Sequence, residues 1–259
     1  MRPRRERKGP GNVRTSRPSA PVPPFGDSTV CGSSLGFLTA AIVALAATSC
    51  AQARMLPAAS AHTIPGAPEA AADQKAGVRV SAEGNDWSST PTDLPARLTP
   101  VKVRIVNHSG VPIAILYQQF TLRGDHGRSY QPIPLLPVDH QHPIDGTGTV
   151  HPIYSASNFY VGPRFHDVYP SLPAWPRALA RDDGFYERQY KRWDKDLPTH
   201  AMQRMGLPEG VLADGGEISG FLYFENATRK ETRLTFQPGI DDVRHGEELA
   251  EIDIPFLVR

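Results

Sequence analysis

The chain of 259 residues contains 26 prolines and 22 glycines, a composition that favours turns and short elements over long helices. Its net charge of +1 combines two unlike regions: residues 1–50 carry seven basic and two acidic side chains, whereas residues 51–259 carry 21 and 25. The larger region is mildly acidic, which argues against a nucleic-acid partner. Both cysteines, Cys31 and Cys50, lie in the first 50 residues, so the remainder has no cysteine for a disulfide or a thiolate metal site.

Residues 1–50 have the pattern of an export signal. A cationic stretch precedes an apolar run from Leu35 to Ala47, which is too short to span a bilayer and suits a signal peptide. The run leads into Ala47-Thr-Ser-Cys50, which resembles a bacterial lipobox with Ala47 in place of the usual leucine. The cysteine of a lipobox carries the lipid, so we expect lipidation at Cys50 and attachment to the membrane through that anchor. Because Ala51 and Gln52 replace the aspartate that often retains lipoproteins in the inner membrane, the expected location is the outer membrane of a bacterial envelope.

Two other interpretations of this leader stay open. Ala51-Gln-Ala53 is a usable A-x-A cleavage site, and cleavage before Arg54 would release a soluble protein. The apolar window from Val30 to Ala51 is also long enough for an uncleaved signal anchor.

The remaining chain predicts a tether followed by one mainly β domain. Residues 51–76 are rich in Ala, Pro and Ser and predict a flexible tether. Residues 77–259 predict the domain, because short apolar runs with alternating polar residues are bounded by turn signals. The expected strands lie at 77–81, 101–105, 113–117, 120–122, 218–224, 233–236 and 252–256. About seven such strands suggest an immunoglobulin-like β-sandwich.

Residues 139–206 interrupt this pattern and predict an irregular, partly helical insertion. The spacing predicts helices over about 183–195 and 199–205, the second with Thr199 as its N-cap and Gly206 as its stop. The insertion is rich in proline and poor in aliphatic residues, so we expect it to pack on the sandwich rather than to close a core of its own.

Several motifs resemble uncharacterised bacterial envelope lipoproteins that have an immunoglobulin-like domain. The motifs are a strand ending in Asn107-His-Ser-Gly110, then Tyr117-Gln-Gln-Phe120, then Gly127-Arg-Ser-Tyr130. In the C-terminal half, residues 207–212 and 215–224 are similar to the closing half of that group. The resemblance implies a β-sandwich and an envelope location, and it implies no activity and no catalytic residue.

The best metal candidate in the sequence is a histidine-rich stretch inside the insertion. Imidazoles near a carboxylate suit zinc or copper, and the candidate ligands are Asp139, His140, His142 and His151. The alternative is a polar loop with unrelated histidines, which the neighbouring prolines favour. No other cofactor is expected.

Ten of the 21 aromatic residues fall within residues 154–193, and such a cluster can form a binding surface. The candidate ligand contacts are Tyr160, Tyr169 and Trp175; the alternative is that the rings fasten the insertion onto the sandwich. No G-x-S-x-G motif occurs in residues 51–259. We therefore expect a non-catalytic binding or structural module with an envelope protein or glycan as partner. A metal-dependent or glycan-processing hydrolase with its site in the insertion is the alternative.

Overall fold

Antiparallel strands dominate the computed structural model, which describes residues 53–136, 156–160 and 182–259. The strands are β1 (Met55–Pro57), β2 (His62–Ile64), β3 (Ala67–Lys75), β4 (Val78–Glu83), β5 (Leu98–Asn107), β6 (Ile113–Ile115), β7 (Phe120–Gly124), β8 (Ser129–Tyr130), β9 (Ala156–Tyr160), β10 (Gly210–Glu225), β11 (Arg233–Asp242), β12 (Glu248–Glu251) and β13 (Ile254–Val258). The helices are α1 (Leu94–Arg97), α2 (Asp183–Tyr190) and α3 (His200–Met205), and residues Tyr117–Gln119 form a 3-10 turn. The prediction of a mainly β protein is confirmed. None of the helices among the described residues is long and apolar enough to cross a membrane.

One antiparallel sheet connects these strands in the order β1-β13-β11-β6-β10-β5-β4-β3-β2. Strand β11 pairs with different neighbours along its length and so joins two parts of the sheet. Residues 233–238 pair with β7 and β13, and residues 239–242 pair with β6 and β12. The sheet curves back on itself, because β1 at one end of the path contacts β3 near the other end.

The core lies on the inner face of this curved sheet and follows the alternation of the sequence. In β5, Val101, Val103 and Ile105 are fully buried while Arg104 between the last two is exposed, as a half-buried strand requires. In β11, Leu234, Phe236, Pro238 and Ile240 are buried and alternate with residues that face outward. The C-terminal residues that the alternation predicted to be buried are in the core, with Ile252 just before β13 and Ile254 and Phe256 within it each 1% exposed.

The flexible tether predicted for residues 51–76 is wrong over its described part. Residues 55–57, 62–64 and 67–75 are strands, and β3 pairs with β4 over six residues. Met55 is fully buried, and its backbone is held by the side chain of Asn85 on both sides. The small alanines that suggested a tether are the residues that let β3 pack closely, since Ala70, Ala71 and Ala72 are buried.

The described part of the predicted insertion, residues 156–160 and 182–206, contacts the sheet. Phe185 and Tyr186 of α2 and Met202 of α3 belong to the same core as β10. The Trp193 ring lies 6.1 Å from the Tyr223 ring, and its Nε1 donates a hydrogen bond to the carbonyl oxygen of Pro134 at 2.7 Å.

Candidate functional site

Most residues singled out by their sequence pattern lie outside the described residues. These are the lipidation candidate Cys50, the metal candidates Asp139, His140, His142 and His151, and the ligand candidates Tyr169 and Trp175. Tyr160 is described: it is half-buried at the end of β9 and is paired with Val211 of β10.

An open groove of about 440 Å³ lies where β7, β11 and β13 meet the β2–β3 hairpin. Polar and apolar side chains share its lining, which consists of Ser60, Ala61, His62, Ala72, Asp73, Arg123, Thr235, Gln237, Asp253, Ile254 and Pro255. The outward-facing residues of β11 form its floor, because the inward positions of the same strand are filled by the core.

The pairing register of β11 with β7 and β13 places the side chains of the floor in two rows. Thr235 pairs with Arg123 of β7 on one side and with Pro255 of β13 on the other. One row further along, Gln237 pairs with Thr121, and its Nε2 donates to Asp253 Oδ1 at 2.7 Å. That hydrogen bond leaves the Gln237 amide oxygen available as an acceptor, so the floor offers both donors and acceptors.

A second groove of about 280 Å³ continues along β11 and shares Gln237 with the first. Its lining is acidic, with Asp241 from β11 and Glu248 and Glu251 from β12. Gln119 fixes one of these groups, because its Nε2 donates to Asp241 Oδ2 at 2.7 Å. The outer face of β11 therefore runs from a cationic position at Arg123 to an anionic end.

A separate polar cluster lies at the other end of β7, around the buried carboxylate of Glu231. Its Oε1 accepts a hydrogen bond from Tyr130 Oη at 2.7 Å. Its Oε2 accepts from the His126 backbone N–H at 3.0 Å and from His126 Nδ1 at 2.7 Å. A carboxylate can only accept, so Nδ1 of His126 carries the proton. The neighbouring Asp125 accepts from both the backbone and the hydroxyl of Thr232.

These contacts set the ionisation of the cluster. Burial by itself would raise the pKa of Glu231, but the hydrogen bonds from Tyr130 and His126 outweigh it and hold that pKa below its ordinary value. Burial raises the pKa of the Tyr130 hydroxyl, and the adjacent Glu231 raises it further. Gly124 makes room for the carboxylate, because a Cβ there would lie 2.3 Å from Glu231 Cδ.

Asp125, His126 and Glu231 bring three potential metal-ligand atoms within 4.8 Å of one another. In this arrangement Asp125 accepts hydrogen bonds from Thr232, and Glu231 accepts from Tyr130 and His126. These contacts tie the turn after β7 to the start of β11.

Comparisons with protein families, with curated proteins and with solved structures find no match for this chain.

The sequence patterns did not single out the candidate site residues Arg123, Gln237 and Asp253 in the groove or Glu231 in the buried cluster. The alternation of β11 contained a usable signal for the groove, because it places Thr235 and Gln237 on the face opposite Leu234 and Phe236. No sequence pattern marks Glu231, whose burial depends on a turn more than 100 residues earlier in the chain.

Proposed function

We propose that the protein is a non-catalytic binding module of the bacterial cell envelope and that it binds its partner in the groove on the outer face of β11. The groove carries this proposal because it is the larger of the two polar concavities just described and is open to solvent. The partner is an envelope protein or a glycan, in keeping with the export signal.

The proposed location is the outer membrane, to which a lipid on Cys50 anchors the chain. The proposed relatives are the bacterial envelope lipoproteins with an immunoglobulin-like domain, whose motifs recur here as structural features. Asn107 of the first motif is buried and donates to the carbonyl oxygens of Val111 and Leu212 at 2.8 and 3.0 Å. Tyr130 of the third motif binds the buried Glu231.

The finer fold assignment that accompanies this proposal is an immunoglobulin-like β-sandwich. Its support is the division of the strands into two antiparallel groups that share β11. The contact between β1 and β3 argues for a more closed arrangement.

The lipid anchor is tested by mass spectrometry of the mature N-terminus in wild type and in a Cys50→Ala variant. We expect a diacylated cysteine at the N-terminus of the wild type and its loss from the variant. A free N-terminus at Arg54 in the wild type would show cleavage at the A-x-A site instead.

The binding function is tested by co-sedimentation of the full chain with purified cell-wall sacculi and with isolated outer membranes. Gln237→Trp places a large ring at the point where the two grooves meet, on an outward-facing strand position that tolerates aromatic residues. Ser219→Trp puts the same ring on β10, outside the lining of either groove, and serves as the matched control.

We expect the control variant to sediment like wild type and Gln237→Trp to stay in solution. Equal sedimentation of both variants would remove the groove from the proposal. Release of soluble fragments from the sacculi during the assay would contradict the non-catalytic assignment.

A further inference from the structure

The charges of the larger groove lie on opposite sides of its floor. Arg123 projects from β7 on one side, while Asp253 precedes β13 and Asp73 belongs to β3 on the other. No ion pair within the described part of the chain involves any of the three. The two carboxylates accept hydrogen bonds only from neutral groups, the Gln74 backbone N–H and the Gln237 amide. The groove therefore presents one cationic and one anionic side to solvent.

We propose that this groove binds a short peptide by its free ends, with the peptide carboxylate at Arg123 and the peptide ammonium group at Asp73 and Asp253. This inference rests on the proposed function and specifies the ligand of the same site. A guanidinium matches a carboxylate with two parallel hydrogen bonds, and a carboxylate is the natural acceptor for an ammonium group.

The register indicates the length of that peptide. Arg123 and Pro255 flank Thr235 on neighbouring strands, so their Cα atoms are roughly 10 Å apart at a strand spacing of about 4.8 Å. A single α-amino acid carries both charges on one carbon atom and cannot reach both sides. Each further residue adds about 3.5 Å, so a peptide of two to four residues spans the floor.

The floor suits a peptide backbone better than a sugar ring. Apart from the imidazole of His62, none of the described residues that line the groove is aromatic, so the lining offers no Phe, Tyr or Trp ring on which the apolar face of a sugar could stack. Thr235 and the Gln237 amide oxygen instead offer hydrogen-bonding partners for peptide N–H and C=O groups. The carboxylates of the adjoining groove extend the anionic side for longer peptides.

The test is calorimetric titration of the purified full chain in detergent with three peptides: trialanine with free ends, its N-acetyl derivative and its C-terminal amide. Low salt keeps the exposed charges unscreened. We expect trialanine to bind and each blocked peptide to bind at least about tenfold more weakly, the loss expected for one charge-assisted hydrogen bond.

Two variants test which side of the groove binds each end of the peptide. Arg123→Gln should bind the acid and the amide equally, and Asp73→Asn should narrow the difference between the free and acetylated peptides. Arg79→Gln removes an equally exposed arginine from β4 and should leave all three affinities unchanged. Thermal unfolding of each variant would establish that it is folded.

Equal affinity for all three peptides, or no heat of binding up to about 10 mM peptide, would overturn the ligand assignment. The proposed function is decided by a separate experiment, the sedimentation assay. If the full chain sediments with sacculi or membranes and Gln237→Trp abolishes this, the groove is a binding site whatever the peptides do. If Gln237→Trp sediments like wild type while trialanine binds, the ligand assignment stands and binding to the envelope takes place outside the groove.

Discussion

The buried carboxylate of Glu231 offers the sharpest test of the fold, through the variant Glu231→Gln. The amide has the same shape, and its oxygen can still accept from Tyr130. Its NH₂ group, however, then faces the two His126 donors that Glu231 Oε2 accepts at 2.7 and 3.0 Å. A hydrogen bond to a charged group contributes about 1.5–3 kcal/mol, and an unsatisfied buried donor costs about 1–3 kcal/mol. We therefore expect the free energy of unfolding to fall by about 3 kcal/mol.

Urea unfolding followed by tryptophan fluorescence at neutral pH measures this loss. Glu187→Gln makes the same chemical change at an exposed position of α2 and should shift the free energy of unfolding by less than about 0.5 kcal/mol. A loss below about 1 kcal/mol for Glu231→Gln would refute the view that this carboxylate fastens the turn after β7.

The difference in free energy of unfolding between wild type and Glu231→Gln should also depend on pH. The pKa of Glu231 lies below its ordinary value of 4.5, so the folded protein binds this proton less tightly than the unfolded chain does. The stabilisation is therefore complete above the ordinary value and is lost as the pH falls through the lowered pKa. The stability gap between wild type and Glu231→Gln should be constant above about pH 5.5 and should narrow in more acidic solution. A gap that widens there would show that the sign of the pKa shift is wrong.

Three further substitutions test other contacts in the same unfolding assay. Ile254→Asp places a charge at a position that is 1% exposed and should cost more than about 4 kcal/mol; a well-folded variant would show that β13 is not part of the core. Gly124→Ala pushes a methyl group into Glu231 and should cost about 2 kcal/mol or more, with less than additive loss when combined with Glu231→Gln. Arg97→Gln removes hydrogen bonds to two exposed aspartates, Asp194 and Asp196, and should cost at most about 1 kcal/mol, less at high salt; a larger, salt-independent loss would contradict a surface role.

Elements whose signals are local could be predicted from the sequence. Helix α3 begins where Thr199 predicts it, since Thr199 Oγ1 accepts from the Met202 backbone N–H at 3.3 Å, and the helix ends at Gly206. The turn between β11 and β12 also has a local signal, because Gly246 adopts the positive φ of 69° that a hairpin turn uses. Both depend on contacts within a few residues.

Elements that depend on distant partners could not be predicted. Residues 55–57 carry no strand signal of their own and become β1 only because β13 pairs with them. A proline such as Pro255 is typical of an edge or bulged strand, yet β13 lies between β1 and β11. The pairing with β1 begins at Phe256, just past the proline, so the missing N–H costs no hydrogen bond to β1.

The candidate site was largely hidden from the sequence for the same reason. Its floor and walls come from β2, β3, β7, β11 and β13, and no segment of the chain holds more than a few of its residues. The sequence drew attention instead to histidines and aromatic rings, which are conspicuous by composition. An alternating strand reveals which residues face outward, but only the register of its neighbours reveals which outward-facing residues meet.

The pairing of β1 with β13 brings Arg54 and Arg259 together, with two backbone hydrogen bonds of 2.7 and 3.0 Å between them. During synthesis, β1 must wait until nearly all of the intervening strands have been made before its partner β13 arrives. Such a long-range closure makes folding slow, and until then the buried face of the β3–β4 hairpin needs protection from aggregation. It also means that fluorophores attached just before Arg54 and just after Arg259 would report closure directly, since their separation collapses only when the last strand docks.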